Sequence, residues 1–427
     1  MSTNAQPSAR LEFIDAHRGI AVLLMLWMHS ADGWLMPALK QGPAWSFVRS
    51  IGGLAAPTFL LLAGVSLGLG WQGEERPGQR RAALGRGLQL VVLGYGLRLQ
   101  MWMLDGGAHR QAAWAAAAVL LALGYVTAYR GLGALARGGD DTVKLLATAA
   151  ACCAAGLFNV SLAAPDRLVP LLRVDVLQAI GASCALLALA RPRLQQAPWL
   201  GLVLAAAVAA VTPWFRSWVP GPLPQPIAAY LGGWDPPPGR LAPALFPLFP
   251  WLAYALVGAS VGTTLGRSRS ADRSAELIAL RLAALGLALA LLSCEALPHG
   301  HRLTTTWPLL TQPVRVLYRS SAALALGGLA VALVRLRLPG LRSLLELGRA
   351  SLFVYWVHLE LAFGTLSRPL AHRLGYRSWS LALLGLVVLM IGLASGWRKA
   401  RARLAPKSSG KPPGHSAGSE PAALPSA

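Results

Sequence analysis

The chain has 427 residues, of which 55% are hydrophobic and 13% charged, and carries a formal net charge of +22. Soluble domains hold roughly 25% charged residues, so this composition excludes an ordinary soluble globular protein and, with repeated apolar runs near twenty residues, defines a polytopic membrane protein. The basic residues punctuate apolar runs and form no basic helix interleaved with aromatics, so topology explains the charge and nucleic-acid binding does not.

The first span carries the most informative residue. Residues 18–30 read Arg-Gly-Ile-Ala-Val-Leu-Leu-Met-Leu-Trp-Met-His-Ser, with His29 deep inside an apolar helix. At about 1.5 Å per residue, the steps from Arg18 to His29 cover roughly 16 Å, about half a bilayer core. Asp15, Arg18, Val22, Met25 and His29 share one helix face. An ionisable group at that depth is costly and is a functional-site candidate by default; the plainer reading is that Asp15 and Arg18 cap and anchor the helix while His29 bonds a neighbouring backbone. The segment ends Trp-Leu-Met-Pro, without a small-x-small cleavage site, so it reads as a retained helix and not a signal peptide.

About twelve spans follow, centred near Met25, Leu60, Leu93, Leu121, Ala150, Ala182, Ala206, Leu256, Ala288, Ala325, Trp356 and Leu386; losing the Ala-rich one near Ala150 would leave about eleven. The expected fold is therefore an all-α helical bundle: a short cytoplasmic segment 1–14, a membrane domain 15–397 and a basic, disordered cytoplasmic tail 398–427. With the N-terminus inside, inner loops hold Arg76, Arg80, Arg81 and Arg86, then Arg130, Arg137 and Lys144, Arg191 and Arg193, Arg267, Arg269 and Arg273, and Arg335, Arg337 and Arg342, and the tail adds Arg398, Lys399, Arg401, Arg403, Lys407 and Lys411. Outer loops are poorer: Lys40, Arg110, Arg167, Arg173, Arg216, Arg240, Arg302, and the cluster Arg368, Arg373 and Arg377. This bias places both termini on the cytoplasmic side of the membrane. Gly-x-Gly patterns from Gly64 to Gly70 lack a following Lys-Ser/Thr and mark close helix packing, not a nucleotide loop. The Pro-, Gly- and Trp-rich connection from Pro213 to Pro243, with Trp234 to Gly239 reading Trp-Asp-Pro-Pro-Pro-Gly, bars helix and reads as an ordered or lid-like loop.

Two further polar groupings interrupt the apolar runs. In Leu347-Gly-Arg-Ala-Ser-Leu-Phe-Val-Tyr-Trp-Val-His358-Leu-Glu360, the residues Ser351, Tyr355 and His358 share a face. His358 lies about as deep in its span as His29 does in its own, so two histidines could line one cavity or make an interhelical hydrogen bond. On the outer side stand Arg98, then Arg173, Asp175 and Gln178, then Arg315 and Arg319; Arg98 paired with Asp175 could be structural glue, or these residues could bind a sugar. No metal site is expected: His299 and His301 have no carboxylate or cysteine at metal spacing, and Cys152, Cys153, Cys184 and Cys294 sit in apolar runs without paired spacing, as small buried residues outside any disulfide framework.

Several stretches together resemble the heparan-α-glucosaminide N-acetyltransferase family, in particular its bacterial members. Ile14-Asp15-Ala-His-Arg18-Gly19-Ile-Ala is similar to that family's Asp-x-x-Arg-Gly-x-Ala first span, and Ala56-Pro57-Thr-Phe59-Leu-Leu-Leu-Ala-Gly64-Val-Ser66 to its Pro-x-Phe-x-Phe-x-x-Gly-x-Ser second span. Leu172-Arg-Val-Asp-Val-Leu-Gln178 and Phe246-Pro-Leu-Phe-Pro250-Trp251 match its Leu-Gln and Phe-Pro-Trp segments. The segment Gly348 to His358 looks like the closing motif of bacterial membrane O-acyltransferases. The chain departs from the pattern in one respect: the human family member has an asparagine near the place of His29, and its implicated histidine falls where this chain has Lys40. A histidine closing the first span instead suits the bacterial O-acyltransferases, leaving N- or O-acylation open.

The resemblance implies a transmembrane acyltransferase that moves an acyl group, expected to be acetyl, from cytoplasmic acetyl-CoA to a sugar or glycan acceptor at the outer face. His29 and His358 are then the catalytic candidates, by general-base or covalent chemistry, with Asp15 and Arg18 orienting His29 indirectly or holding CoA. Arg76, Arg80, Arg81 and Arg86 are candidates for the CoA phosphates, and Arg98, Asp175, Gln178, Arg319, Tyr355 and Ser351 for the acceptor. The rival reading is a transporter or flippase for a small or lipid-linked glycan, in which the same groups relay protons or bind cargo. Membrane lipid is an expected partner, nucleic acid is not, and a homodimer is compatible with the chain.

Overall fold

A computed structural model of the chain describes residues 11–73, 75–104, 112–163, 168–218, 225–232, 244–268, 272–294 and 298–404. The segment before Leu11, Arg110, Arg167, the run Trp234–Gly239, Arg240, Arg269 and the tail beyond Leu404, with Lys407 and Lys411, lie outside the described residues.

Alanine, leucine and glycine dominate the apolar runs, and every named element among the described residues is helical. The first half holds α1 (Glu12–Trp34), α2 (Gly42–Gly52), α3 (Ala55–Leu69), α4 (Gln79–Leu104), α5 (Ala112–Arg137), α6 (Thr142–Ala163), α7 (Leu168–Leu172), α8 (Val176–Gln196) and α9 (Pro198–Trp218). The second half holds α10 (Gln225–Gly232), α11 (Leu248–Arg267), α12 (Asp272–Ser293), α13 (Pro298–Thr306), α14 (Thr311–Arg335), α15 (Leu341–Arg349), α16 (Ser351–Phe363) and α17 (Tyr376–Leu404). The protein is an all-α polytopic membrane bundle. Eight helical stretches among the described residues are long and apolar enough to cross a bilayer: α2 with α3, then α5, α6, α9, α11, α12, α14 and α17. All twelve span centres read from the sequence fall inside helices. Of the remaining four, α1, α4 and α8 match the eight in length but carry charged side chains, and α16 is short.

The connection from Pro213 to Pro243 is more helical than proline content suggests. α9 continues through Pro213 to Trp218, and α10 lies within the stretch expected to be loop. Pro213 stands inside α9 and takes its N–H out of the helical ladder without ending the helix, and Thr212 Oγ1 donates back to Val208 O at 2.6 Å. Pro226 occupies the second position of α10, where no N–H is required for an intrahelical bond.

Small residues set the closest packing. A Cβ at Gly64 would lie 2.1 Å from Ala255 O, and one at Gly258 would lie 2.0 Å from Leu61 O, so α3 and α11 meet backbone to backbone. Gly68 and Gly262 repeat the contact one turn along. In lipid, where helix association rests on van der Waals contact, such proximity holds the pair together. Gly64→Ala and Gly258→Ala are each expected to lower stability by about 1–3 kcal/mol by forcing the helices apart. Thermal unfolding in detergent checks this; unchanged midpoints in both variants would refute it.

The site is framed by five helices that form a closed chain of neighbours. α1 packs on α3 and α16, α3 on α8, and α8 on α4. Trp356 of α16 closes the ring by donating through Nε1 to Gln100 Oε1 of α4 at 2.6 Å. α15 crosses the beginning of α1, where Gly348 touches the Asp15 backbone and Gly19 meets Leu344. α16 then runs parallel to the second half of α1, with Gly33 against Ala362.

Candidate active site

That parallel course puts equal helical steps at equal depth, and the two histidines meet. His29 Nδ1 lies 2.7 Å from His358 Nε2, and the two ring planes are within 2° of each other. His358 is fully buried and its Nδ1 lies 2.9 Å from Val354 O. His29 is only partly buried, and its ring packs edge-on against Phe363 with centroids 5.5 Å apart. Tyr355 packs on the other histidine, 5.7 Å from the His358 ring.

The outer-side grouping lies in reach of this pair. Arg98 Nη2 donates to Asp175 Oδ2 at 2.8 Å, with the two side chains 15% and 19% exposed. Asp175 also caps α8: its Oδ1 accepts from Val176 N, and its own N–H donates to Gln178 Oε1 at 3.1 Å. Gln178 is thus the third-position partner of a capping box, fully buried, with its Nε2 lacking a partner. Asp175 and Asp32 act electrostatically on His29, and Asp175 and Arg98 on Tyr355, so charge and imidazole belong to one cluster. Arg173, whose buried Nε has no partner, faces the same Arg98–Asp175 pair.

A cavity of about 390 Å³ opens beside this cluster, walled by Arg98, Met101 and Trp102 of α4, Pro170, and the stretch from Phe363 to Ala371. Phe363 therefore stands between the cavity and the His29 ring. The far wall is pinned to the end of α1: His372 N donates to Gly33 O, Leu374 N to Trp34 O, and Met36 N to Leu374 O. Lys40 Nζ donates to Asp32 O and lies 3.4 Å from His372 Nδ1.

Asp15 and Arg18 belong to a different cluster. Their α1 positions lie roughly 21 and 16 Å below His29 at about 1.5 Å per residue. Asp15 is 1% exposed and is held by Arg349 Nε at 3.1 Å and Arg18 Nη1 at 3.6 Å, while Arg18 Nη2 donates to Ser66 Oγ. Between the clusters, Val22 and Met25 are buried in the apolar core that also holds Leu97, Leu177 and Val354. A second cavity, about 530 Å³, lies at the end of the bundle where α3, α8 and α11 finish, lined by Trp71, Gln72, Glu75, Gln195, Gln196 and Arg267 among others. Arg191, 2% exposed, stands close by: it donates through Nε to Gln195 Oε1 and leaves Nη2 without a partner. Glu75 on the cavity rim pairs with Arg80 at 2.9 Å, and the guanidinium holds its carboxyl below the usual range. Arg76, Arg81 and Arg86 are exposed around the start of α4.

Two candidates have no contact with the pair among those described. Arg319 acts electrostatically on Tyr254 of α11, and Ser351 opens α16 two turns before His358. Three residues had no assigned role in the sequence reading. Arg349 sits inside the Gly348–His358 motif, and the structure pairs it with Asp15 of α1. Gln100 carries no local signal, because its partner Trp356 comes from another helix, whereas Arg191 and Gln195 stand four residues apart on α8. Among the described residues no group of three or more His, Cys, Asp or Glu is placed to hold a metal ion.

The two imidazoles, Tyr355 and the Arg98–Asp175 pair form one polar cluster beside the cavity. A family model, heparan-alpha-glucosaminide N-acetyltransferase, catalytic, matches residues 10–298. The chain belongs to this family of transmembrane acetyltransferases and is a membrane acyltransferase by that membership. His29, Arg98, Asp175 and Gln178 fall within the matched residues, whereas Tyr355 and His358 lie beyond them. No curated protein and no solved structure matches the chain.

Proposed function

We propose that this protein transfers an acetyl group from acetyl-CoA, bound at the Arg-rich cytoplasmic end, to a sugar hydroxyl or amine presented at the opposite, outer face. The observation that carries the reading is the His29–His358 hydrogen bond, placed beside the 390 Å³ cavity and ringed by Tyr355, Arg98 and Asp175. His29 takes the acceptor proton as the nucleophile attacks the thioester carbon. The C–S bond breaks, and the proton returns to the departing CoA thiolate.

The 390 Å³ cavity suits the acceptor because Arg98 supplies hydrogen-bond donors on its wall. The 530 Å³ cavity suits the donor because Arg191 and Arg267 bring positive charge to an end already rich in Arg80, Arg81 and Arg86. Asp15 and Arg18, bound to Arg349 and Ser66, shape that same end rather than touching the reacting atoms.

The test is release of CoA thiol by purified protein given acetyl-CoA and a panel of amino and neutral sugars. Acceptor-dependent thiol release is expected. Replacing Gln195 by alanine should weaken acetyl-CoA binding several-fold and leave acceptor KM unchanged. Equal loss on both substrates would contradict the two-cavity division, and absence of thiol release with every acceptor would contradict the reaction.

A further inference from the structure

The two imidazoles share one hydrogen, and the carbonyl behind them decides which ring owns it. His358 Nδ1 lies 2.9 Å from Val354 O. A carbonyl oxygen only accepts, so this nitrogen carries a hydrogen, and in neutral His358 the other nitrogen, Nε2, is bare. That bare nitrogen lies 2.7 Å from His29 Nδ1. Two lone pairs cannot face each other at that distance, so His29 Nδ1 donates. A neutral His29 then keeps its own lone pair on Nε2. In histidine the hydrogen bond made by one ring nitrogen sets the state of the other, and here a backbone carbonyl sets both rings in series.

We propose that His358 is a positioning residue that locks His29 in the Nδ1–H tautomer, making His29 Nε2 the atom that takes the acceptor proton; the catalytic half of this assignment rests on the transferase function proposed above. The surroundings support it. Val354, which anchors the series, is fully buried in the apolar core, and its carbonyl is fixed by α16. The ring planes are within 2°, which aligns the N–H with the lone pair. Tyr355 packs against one ring and Phe363 against the other, limiting rotation of both. No hydrogen-bond partner for His29 Nε2 is found among the described residues, and the His29 side chain is the partly exposed member of the pair.

The proton balance closes on this arrangement. The acceptor O–H or N–H bond breaks, and its proton goes to His29 Nε2. The acyl carbon bonds the acceptor as its bond to sulfur breaks. His29 is then an imidazolium with both nitrogens protonated, still donating to His358 Nε2 and within electrostatic reach of Asp175 and Asp32. Its Nε2 proton leaves with the CoA thiolate as free thiol.

The experiment is 15N NMR of the full-length protein labelled at histidine and held in lipid, with the His29 signals assigned by their loss in His29→Asn. The native protein is expected to show a bare Nε2 and a protonated Nδ1 on His29. In His358→Leu the bare nitrogen should move to Nδ1, or the two forms should mix. In His358→Gln, whose Oε1 can accept in place of Nε2, the native tautomer should return. kcat should follow the tautomer, falling at least tenfold in His358→Leu and recovering in part in His358→Gln, with acceptor KM moving less. A native His29 protonated at Nε2, or a tautomer unchanged in His358→Leu, would overturn the assignment. Because the NMR needs no turnover, a native tautomer as expected without any CoA release would count against the transferase function alone.

Discussion

His29→Ala is expected to lower acyl transfer by about a hundred- to ten-thousand-fold, the range that general acid–base groups contribute, while the protein still inserts and folds. Two effects must be kept apart. Alanine removes the base, and it also leaves His358 Nε2 without its donor, an unsatisfied buried acceptor that costs about 1–3 kcal/mol. His29→Asn separates them. Its amide can still supply an N–H near the place of Nδ1, so stability should stay near that of the native protein while activity is lost. Single-turnover rates and thermal midpoints measured on both variants check this. Near-native transfer in either variant would remove His29 from the chemistry, whatever the stability.

The second large effect is expected at Arg98. Removing one partner of a buried ion pair typically costs about 3–5 kcal/mol, and at 15% and 19% exposure the lower end of that range applies to Arg98 and Asp175. Arg98→Met strands Asp175, which must still cap α8 through Val176 N. Adding Asp175→Asn should recover much of the stability, since the amide oxygen can still cap the helix and no unpaired charge remains. Acceptor KM should rise about tenfold in both the single and the double variant if Arg98 contacts acceptor. A double-mutant cycle on stability, run beside acceptor kinetics, separates the roles. Acceptor KM recovering together with stability would make Arg98 structural glue.

The helices were legible because bilayer thickness imposes a length on apolar runs, and each of the twelve centres falls inside a helix, although eight helical stretches among the described residues are long and apolar enough to cross. The depth of the histidines was legible only in part. The sequence reading counted about eleven residues to each histidine, but α16 begins only at Ser351, so the two rings meet because α16 packs beside the second half of α1. The direct hydrogen bond needed one more fact, that α16 runs beside α1, which no spacing rule supplies. Lateral neighbours were the main loss. Arg349 reaching Asp15, Trp356 reaching Gln100, and Arg191 lying behind the second cavity all depend on which helix faces which. Gln178 shows a different loss: its sequence offers a polar side chain near a span end, and the structure spends its Oε1 on the cap of α8. Pro213 shows how a local rule yields to context, because α9 continues through it to Trp218 at the loss of one backbone bond.

The stripe Asp15, Arg18, Val22, Met25 and His29 shares one face, as helical periodicity requires, but its two polar ends do different work. The lower end is tied to Arg349 and Ser66; the upper end meets His358. Buried Val22 and Met25 lie between them. The transfer proposed above joins reactants from opposite faces of the membrane across this apolar stretch.

Sided proteoliposomes test that joining most directly. With acceptor sealed inside and labelled acetyl-CoA added only outside, the label is expected on lumenal acceptor, in proportion to the fraction of protein whose Arg-rich end faces outward, with none formed by His29→Asn. Labelled product confined to the donor compartment, when acceptor is supplied on both sides, would contradict transfer through the His29–His358 pair from one face of the bundle to the other.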